Sequence, residues 1–195
     1  MTAPGPFILA ADCPWQHNDS RGKQGAASKY ACMPTYQIAR FPLPEAVEQA
    51  RDSVLFLWAL SSMLPDALFV MEAWGYRYHS MLIWEKFTNP VPPKLPVPAF
   101  GPGRILRNCH EPCLIGVRGR GYVPDYKSQR SSFGARVGAH SQKPNAFFQL
   151  VERMYPRSEY YELFAVDVRD RWHQQGLSLG KRAKQKRGSH GQGNR

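Results

Sequence analysis

Long apolar runs are missing from this chain. None approaches the ~18–20 residues that a helix needs to cross a bilayer, so a helical membrane span is not expected. The N-terminus has no charged n-region followed by an apolar h-region, which predicts no secretory signal. Cysteine is scarce: Cys13, Cys32, Cys109 and Cys113 are the whole complement. Without a signal peptide these four predict reduced thiols in the cytoplasm rather than a disulfide scaffold. Cys109-His110-Glu111-Pro112-Cys113 departs from the C-x2-C spacing of structural zinc, and Cys13 and Cys32 supply no second pair, so no metal site is expected. His17, His79, His110 and His140 show no metal-ligand spacing and read as surface or packing residues, with His140 also able to reach a substrate phosphate. Acidic residues are in deficit, 15 against 26 Lys and Arg, which leaves a net charge of +11. An excess of that size points to a polyanion partner held through phosphate contacts.

The composition is globular, and 195 residues suffice for one domain with a real core. Lys181, Arg182, Lys184, Lys186, Arg187 and Arg195 mark residues 180–195 as a basic tail. The domain is then expected over 1–179, and it stays basic without the tail.

Phe7 to Ala11 reads as a buried strand of parallel type, and Ser53 to Trp58 as a second. Pro44 opens a short helix, and Pro65 to Trp74 has helical spacing stopped by Gly75. Tyr76 to Phe87, Glu111 to Val117 and Tyr160 to Val166 read as further strands, and Pro144 to Tyr155 as an amphipathic helix. Asn89 to Gly103 carries six prolines and is expected to be an extended connector. Gln16 to Ala31 and Arg118 to Ala139 read as polar and basic loops, either solvated charge or nucleic-acid contacts. Strands alternating with helices predict an α/β fold in three layers with a mostly parallel sheet. Gly116, Gly119 and Gly121 do not make G-x-G-x-x-G, and a flexible turn is expected there. Glu85 and Lys86 read as a strand-end ion pair.

The first strand runs into Asp12-Cys13-Pro14-Trp15. In an open α/β sheet the carboxyl ends of the strands border the ligand crevice, which would set Asp12 at its mouth. Pro14 removes a donor, stiffens the turn and biases Cys13 to an extended shape, so its carbonyl can face outward. A carboxylate, a carbonyl and an indole suit a flat heterocycle with an exocyclic amine: two acceptors for its N–H protons and Trp15 for its face. The other reading is a strand ending in a capping Asp, with Trp15 as ordinary core.

Asp12-Cys13-Pro14-Trp15 resembles the D-P-P-W motif of adenine N6-methyltransferases, in the family typified by the messenger-RNA N6-adenosine methyltransferase catalytic subunit, which includes small bacterial and phage DNA-modifying members. Five later segments fit in the same order: Leu55-Phe56-Leu57-Trp58; Trp74-Gly75-Tyr76 with Trp84-Glu85-Lys86; Gly103 through His110-Glu111; His140-Ser141-Gln142-Lys143-Pro144; and Glu162-Leu163-Phe164. The resemblance runs from Phe7 to about Gly176. It implies a Rossmann-like fold with permuted motif order, S-adenosylmethionine as cofactor, and methylation of adenine N6 in DNA or RNA, as in restriction-modification. It implies that Asp12 and the Cys13 carbonyl hold the amine, with Pro14 and Trp15 beside the base. Lys143 would meet the cofactor carboxylate, with Asp12 near its amine, and Glu162, Leu163 and Phe164 would border it. Lys23, Lys29, Arg118, Arg120, Lys127, Arg130, Arg136 and His140 would hold nucleic acid beside the site. A homodimer or a related partner subunit is a further implication.

Three departures stand out. Cys13 replaces the first proline of the tetrad, and Ala165-Val166-Asp167 stands where the family usually has an arginine. Leu177-Ser178 follows Gly176 where Asn with Gln or Glu is usual, leaving Gln174 or Gln175 as stand-ins. These keep open a relative that binds nucleic acid without cofactor. Cytosine N4 methylation is the third reading, disfavoured by Asp rather than Ser at position 12.

Overall fold

The computed structural model describes residues 5–16, 32–88, 97–101, 105–138 and 142–175. Its centre is β1 (Phe7–Asp12), whose Ile8, Leu9, Ala10 and Ala11 are buried on both sides of the strand. It pairs in parallel with β2 (Ser53–Trp58) on one side and β7 (Tyr160–Leu163) on the other. β3 (Arg77–Thr88), β4 (Val97–Pro98), β5 (His110–Arg118), β6 (Ser132–Arg136) and β8 (Trp172–Gln175) complete a sheet in the order β4-β3-β5-β2-β1-β7-β8, with β6 pairing with β3. Among the described residues four of the seven strand pairings are parallel; β5 runs antiparallel to both β2 and β3.

Helices cover both faces, as the three-layer expectation has it. α1 (Thr35–Ala39), α2 (Glu45–Gln49) and α3 (Leu64–Ala73) send Ile38, Val47, Val70 and Met71 onto the side chains of Leu9, Leu55 and Leu57. α4 (Asn145–Met154) sends Phe147, Leu150 and Val151 onto Ile8, Val54, Phe56 and Trp58. The alternation of strand side chains divides the apolar residues between two cores. Gly75, at φ +76, stops the chain after α3.

Four expectations change. Val97–Pro98 inside the proline connector forms a two-residue strand on Phe87–Thr88, which the missing proline N–H permits at the end of a ladder. The basic loop contains β6, stabilised by β3 rather than by its own composition. β7 stops at Leu163, because Phe164 turns to φ +61. α1 and β8 were not expected at all; β8 is a polar strand, Trp172-His173-Gln174-Gln175, paired among the described residues only with β7.

Candidate functional site

Chain connections leave β1 toward the α3 face and enter β7 from the α4 face. Where neighbouring parallel strands are served from opposite faces, their carboxyl ends open a crevice. Asp12 and Phe164 stand at that place.

The register then fixes what faces the crevice. Asp12 pairs with Trp58, Trp58 with Cys113, and Glu111 with Trp84. Directly paired residues share a face of the sheet, so Asp12, Trp58, Glu111, Trp84 and Lys86 all lie on the α4 side. Lys143, two residues before α4, descends onto this row. Its Nζ lies 2.6 Å from Asp12 Oδ2 and 3.1 Å from Glu111 Oε1, and 5.3 Å from the Trp58 ring. Glu111 Oε2 takes Lys86 Nζ at 2.5 Å, and that ammonium lies 4.8 Å from the Trp84 ring. Trp58 and Trp84 meet edge to face at 6.2 Å. The result is an alternating row, Lys86, Glu111, Lys143, Asp12, on a base of two indoles.

Burial pushes the Asp12 carboxyl above the ordinary aspartate range; Lys143 opposes the rise and Glu111 adds to it. Burial alone would raise Glu111 too, but Lys143 and Lys86 outweigh it and hold Glu111 below the usual glutamate value. Burial disfavours the Lys143 charge, yet Asp12 and Glu111 overcome this and raise its pKa. The Cys13 and Cys113 thiols are pushed well up by burial and stay protonated. All four cysteines are free, and among the described residues no group of three His, Cys, Asp or Glu could hold a metal ion.

The tetrad has a different shape from the expected clamp. The Cys13 carbonyl accepts the Trp15 amide at 2.8 Å, across Pro14, which uses one of its two lone pairs. Pro14 offers its carbonyl to Met33 N–H at 2.7 Å. Trp15 is 6% exposed, belongs to the core under α3, and donates its indole N–H to the Trp58 carbonyl at 3.0 Å. Its faces are taken by the protein, as in the ordinary-core reading, so it pins the turn rather than plating a ligand.

Glu162 is buried beside β1, in register with Ala10. Burial raises its pKa, against Gln174 and Arg169. Gln174 Nε2 donates to Glu162 Oε2 at 2.8 Å, and Arg169 Nε lies 3.6 Å from the same oxygen. Arg169 also bonds Asn145 Oδ1 at 2.6 Å and lies 3.6 Å from the Phe148 ring centre, while its Nε has no hydrogen-bond partner among the described residues. Leu163 is fully buried, and Phe164 packs on Phe41 at 4.6 Å.

The basic residues divide. Arg118 pairs with Ser53, at the opposite end of the strands from Asp12. From Cys113 to Arg118 is about 16 Å of strand. Arg118 bonds the Val47 carbonyl and stacks 5.0 Å from Tyr76, a packing role. Arg120 is exposed at the same remote end, its N–H bonded to Asp52. Lys127 follows Tyr126, which packs against Arg153 near the far end of α4. Arg118, Arg120 and Lys127 therefore do not stand beside the site, because antiparallel β5 carries the loop away from it. Arg130 is exposed on the returning stretch, and Arg136 alone of the described group reaches the site end, in register with Phe87. Lys23, Lys29, His140 and the 176–195 segment, with Gly176, Leu177 and Ser178, lie outside the described residues.

Glu111, Lys86, Trp58 and Arg169 were not among the expected site residues. A signal for one of them was present: Lys86 is two residues from Trp84, hence on its face, while adjacent Glu85 points away. Lys86 therefore pairs across the strand with Glu111, not with Glu85. Arg169 lies five residues past Phe164 and needed the fold to bring it back.

Comparison with known proteins gives a consistent result. The MT-A70 family model matches residues 7–178. Type II methyltransferase M.MunI of Mycoplasma sp is 24% identical over 79% of this chain and 61% of its own length. The N(6)-adenosine-methyltransferase MT-A70-like protein of Arabidopsis thaliana is 30% identical over 58% of this chain and 16% of its own. Human N(6)-adenosine-methyltransferase catalytic subunit METTL3 is 25% identical over 88% of this chain and 28% of its own. The chain thus spans less than two thirds of each of these relatives. No helix among the described residues is long and apolar enough to cross a membrane.

Proposed function

The chain belongs to the MT-A70 family, and from that premise we propose that it transfers a methyl group from S-adenosylmethionine to N6 of adenine in DNA, with RNA as the second substrate to test. The observation that carries the reading is the Asp12–Lys143 pair at the crevice. An amino-acid head group bears an ammonium and a carboxylate side by side. Asp12 and Lys143 present their complements 2.6 Å apart, and Lys143 has three donors of which Asp12 and Glu111 take two. The residues therefore fit the cofactor: Lys143 for its carboxylate, Asp12 for its amine, with Glu162, Leu163 and Phe164 along its flank. When bound, it supplies an electrophilic methyl group on a sulfonium.

The chain's own residues do the rest. An adenine amine is a weak nucleophile because its lone pair is delocalised into the ring. Asp12 and the second lone pair of the Cys13 carbonyl accept hydrogen bonds from its two N–H groups, which favours the pyramidal nitrogen that attacks. Preorganised acceptors in a water-poor crevice do this without reorganising, and holding the two reactants together removes much of the entropic barrier. Trp15, through Trp58, keeps the Cys13–Pro14 turn rigid. A base in a duplex must first be extruded. DNA is the first choice because a Type II methyltransferase is among the relatives and the chain is strongly basic. The enzyme should move labelled methyl from S-adenosylmethionine to adenine in oligonucleotides, identified as N6-methyladenine by mass analysis, and Asp12→Ala should abolish transfer. No transfer to DNA or RNA by protein that binds cofactor would overturn this.

One observation favours a second reading, a nucleic-acid-binding relative without catalysis. Glu162 is already engaged within the chain, by Gln174 at 2.8 Å and Arg169 at 3.6 Å on one oxygen, and Ala165-Val166-Asp167 sets no arginine directly after Phe164. Calorimetry with S-adenosylmethionine decides: micromolar binding rejects the second reading, and no binding favours it.

A further inference from the structure

Lys86 sits on β3, with β5 and β2 between it and β1, yet it is tied to the crevice. Its ammonium holds one oxygen of Glu111 at 2.5 Å, and the other oxygen of the same carboxylate holds Lys143 at 3.1 Å. Lys143 in turn holds Asp12. The four charges sum to zero. Glu111 is thus shared between two cations, and its pull on Lys143 depends on how much of it Lys86 takes. The Glu111 side chain is only 12% exposed and that of Lys143 10%, whereas Lys86 is 26% exposed at the rim. Water cannot replace Lys86 fully at the inner pair.

We propose that Lys86 is a positioning residue for the cofactor: by occupying one oxygen of Glu111 it loosens the grip of Glu111 on Lys143, leaving Lys143 free to turn its remaining donor to an incoming amino-acid carboxylate. This rests on the cofactor reading above. Without Lys86, Glu111 becomes an uncompensated carboxylate with two oxygens for Lys143. The ammonium is then held by the protein and offers less to a ligand. The effect acts on affinity for the amino-acid end of the ligand and not on the base, so it appears in the KM for cofactor and leaves kcat nearly unchanged.

The test is calorimetry with two probes, S-adenosylhomocysteine, which keeps the amino-acid end, and methylthioadenosine, which lacks it. Lys86→Met should weaken S-adenosylhomocysteine binding about tenfold and leave methylthioadenosine binding unchanged. Lys86→Arg should retain wild-type affinity. Glu111→Gln alone should bind S-adenosylhomocysteine at least as tightly as wild type, and Lys86→Met with Glu111→Gln should regain what Lys86→Met loses. Equal losses for both probes, or no rescue by Glu111→Gln, would overturn the proposal and leave Lys86 a strand-end brace. Should Lys86→Met fail to fold, the Glu111→Gln and Lys86→Arg results still decide it. Wild-type protein that binds neither probe would overturn the cofactor reading itself; wild-type binding with Lys86→Met unaltered overturns only the role of Lys86.

Discussion

Asp12 carries opposing demands. It must be ionised to accept an N–H hydrogen bond, and it is partly buried at the end of the row, with Lys143 between it and the second carboxylate. Because burial raises its pKa, the acid limb of kcat/KM for methyl transfer should lie above the ordinary aspartate value of 3.8. The neighbours fix the sign of each shift. Glu111→Gln removes a negative charge and should move the limb to lower pH; Lys143→Met removes the favourable cation and should move it higher. A pH–rate profile that neither variant displaces would exclude Asp12 as the group observed. Asp12→Asn keeps the shape but removes the charge, and should lower kcat by about 10²–10³. Stability follows the same groups in opposite senses. Glu111, whose pKa is held down, contributes stability that is present above its unfolded value of 4.5 and lost as pH falls through its folded value. Asp12, raised, binds protons more readily when folded, so its contribution weakens as pH rises through its folded pKa. Acid unfolding of Glu111→Gln should therefore be less steep below pH 4.5 than that of the wild type.

At the scale of elements, the turn after β1 is held from the far side of the sheet. Trp15 N–H to the Trp58 carbonyl joins the ends of β1 and β2, beneath the crevice rather than in it. Trp15→Phe keeps the ring volume roughly and loses that buried bond. We expect it to cost about 1–3 kcal/mol in a urea unfolding midpoint and to raise the KM for oligonucleotide more than that for cofactor, since the Cys13 carbonyl moves while Lys143 does not. Gly116 marks another constraint: a Cβ there would stand 3.0 Å from Met71 Sδ and from Tyr76 Cβ, where α3 lies on the sheet. Gly116→Ala should cost about 1–3 kcal/mol by overpacking, with cofactor binding intact. The elements readable in the sequence were those with their own signal: the apolar runs of β1 and β2, the stripe of α4, the Gly75 stop after α3. β6 and β8 carry polar, short sequences and exist because β3 and β7 offer them a ladder, which no local pattern reveals. The same holds for Trp15. Its residue type is readable, but which face of the sheet it joins depends on a turn that Met33 closes from a distant part of the chain.

For the whole molecule, net charge was legible but its location was not. The sequence puts Arg118 at the end of β5 and Arg120 two residues past it, and only the antiparallel direction of β5 shows that they leave the crevice behind. Of the row Lys86–Glu111–Lys143–Asp12, the resemblance named Asp12 and Lys143 but not the other two: the members are spread over 132 positions, from 12 to 143, and strand order together with the approach to α4 brings them together. This geometry separates two sources of nucleic-acid affinity. Arg136 stands in register with Phe87, next to Lys86 at the rim. Arg120 is about 16 Å of strand away at the other end, farther than the ~8 Å screening length of physiological salt. A backbone gripped while its base enters the crevice lies within reach of the first and not of the second. Arg136→Glu should then weaken binding of a short oligonucleotide and reduce the slope of log K against log salt by about 0.9 for a lost duplex phosphate contact. Arg120→Glu, with the same change in net charge, should leave affinity and slope unaltered. Equal losses from both would mean that the chain holds nucleic acid by overall charge, and that the crevice does not set where the backbone lies.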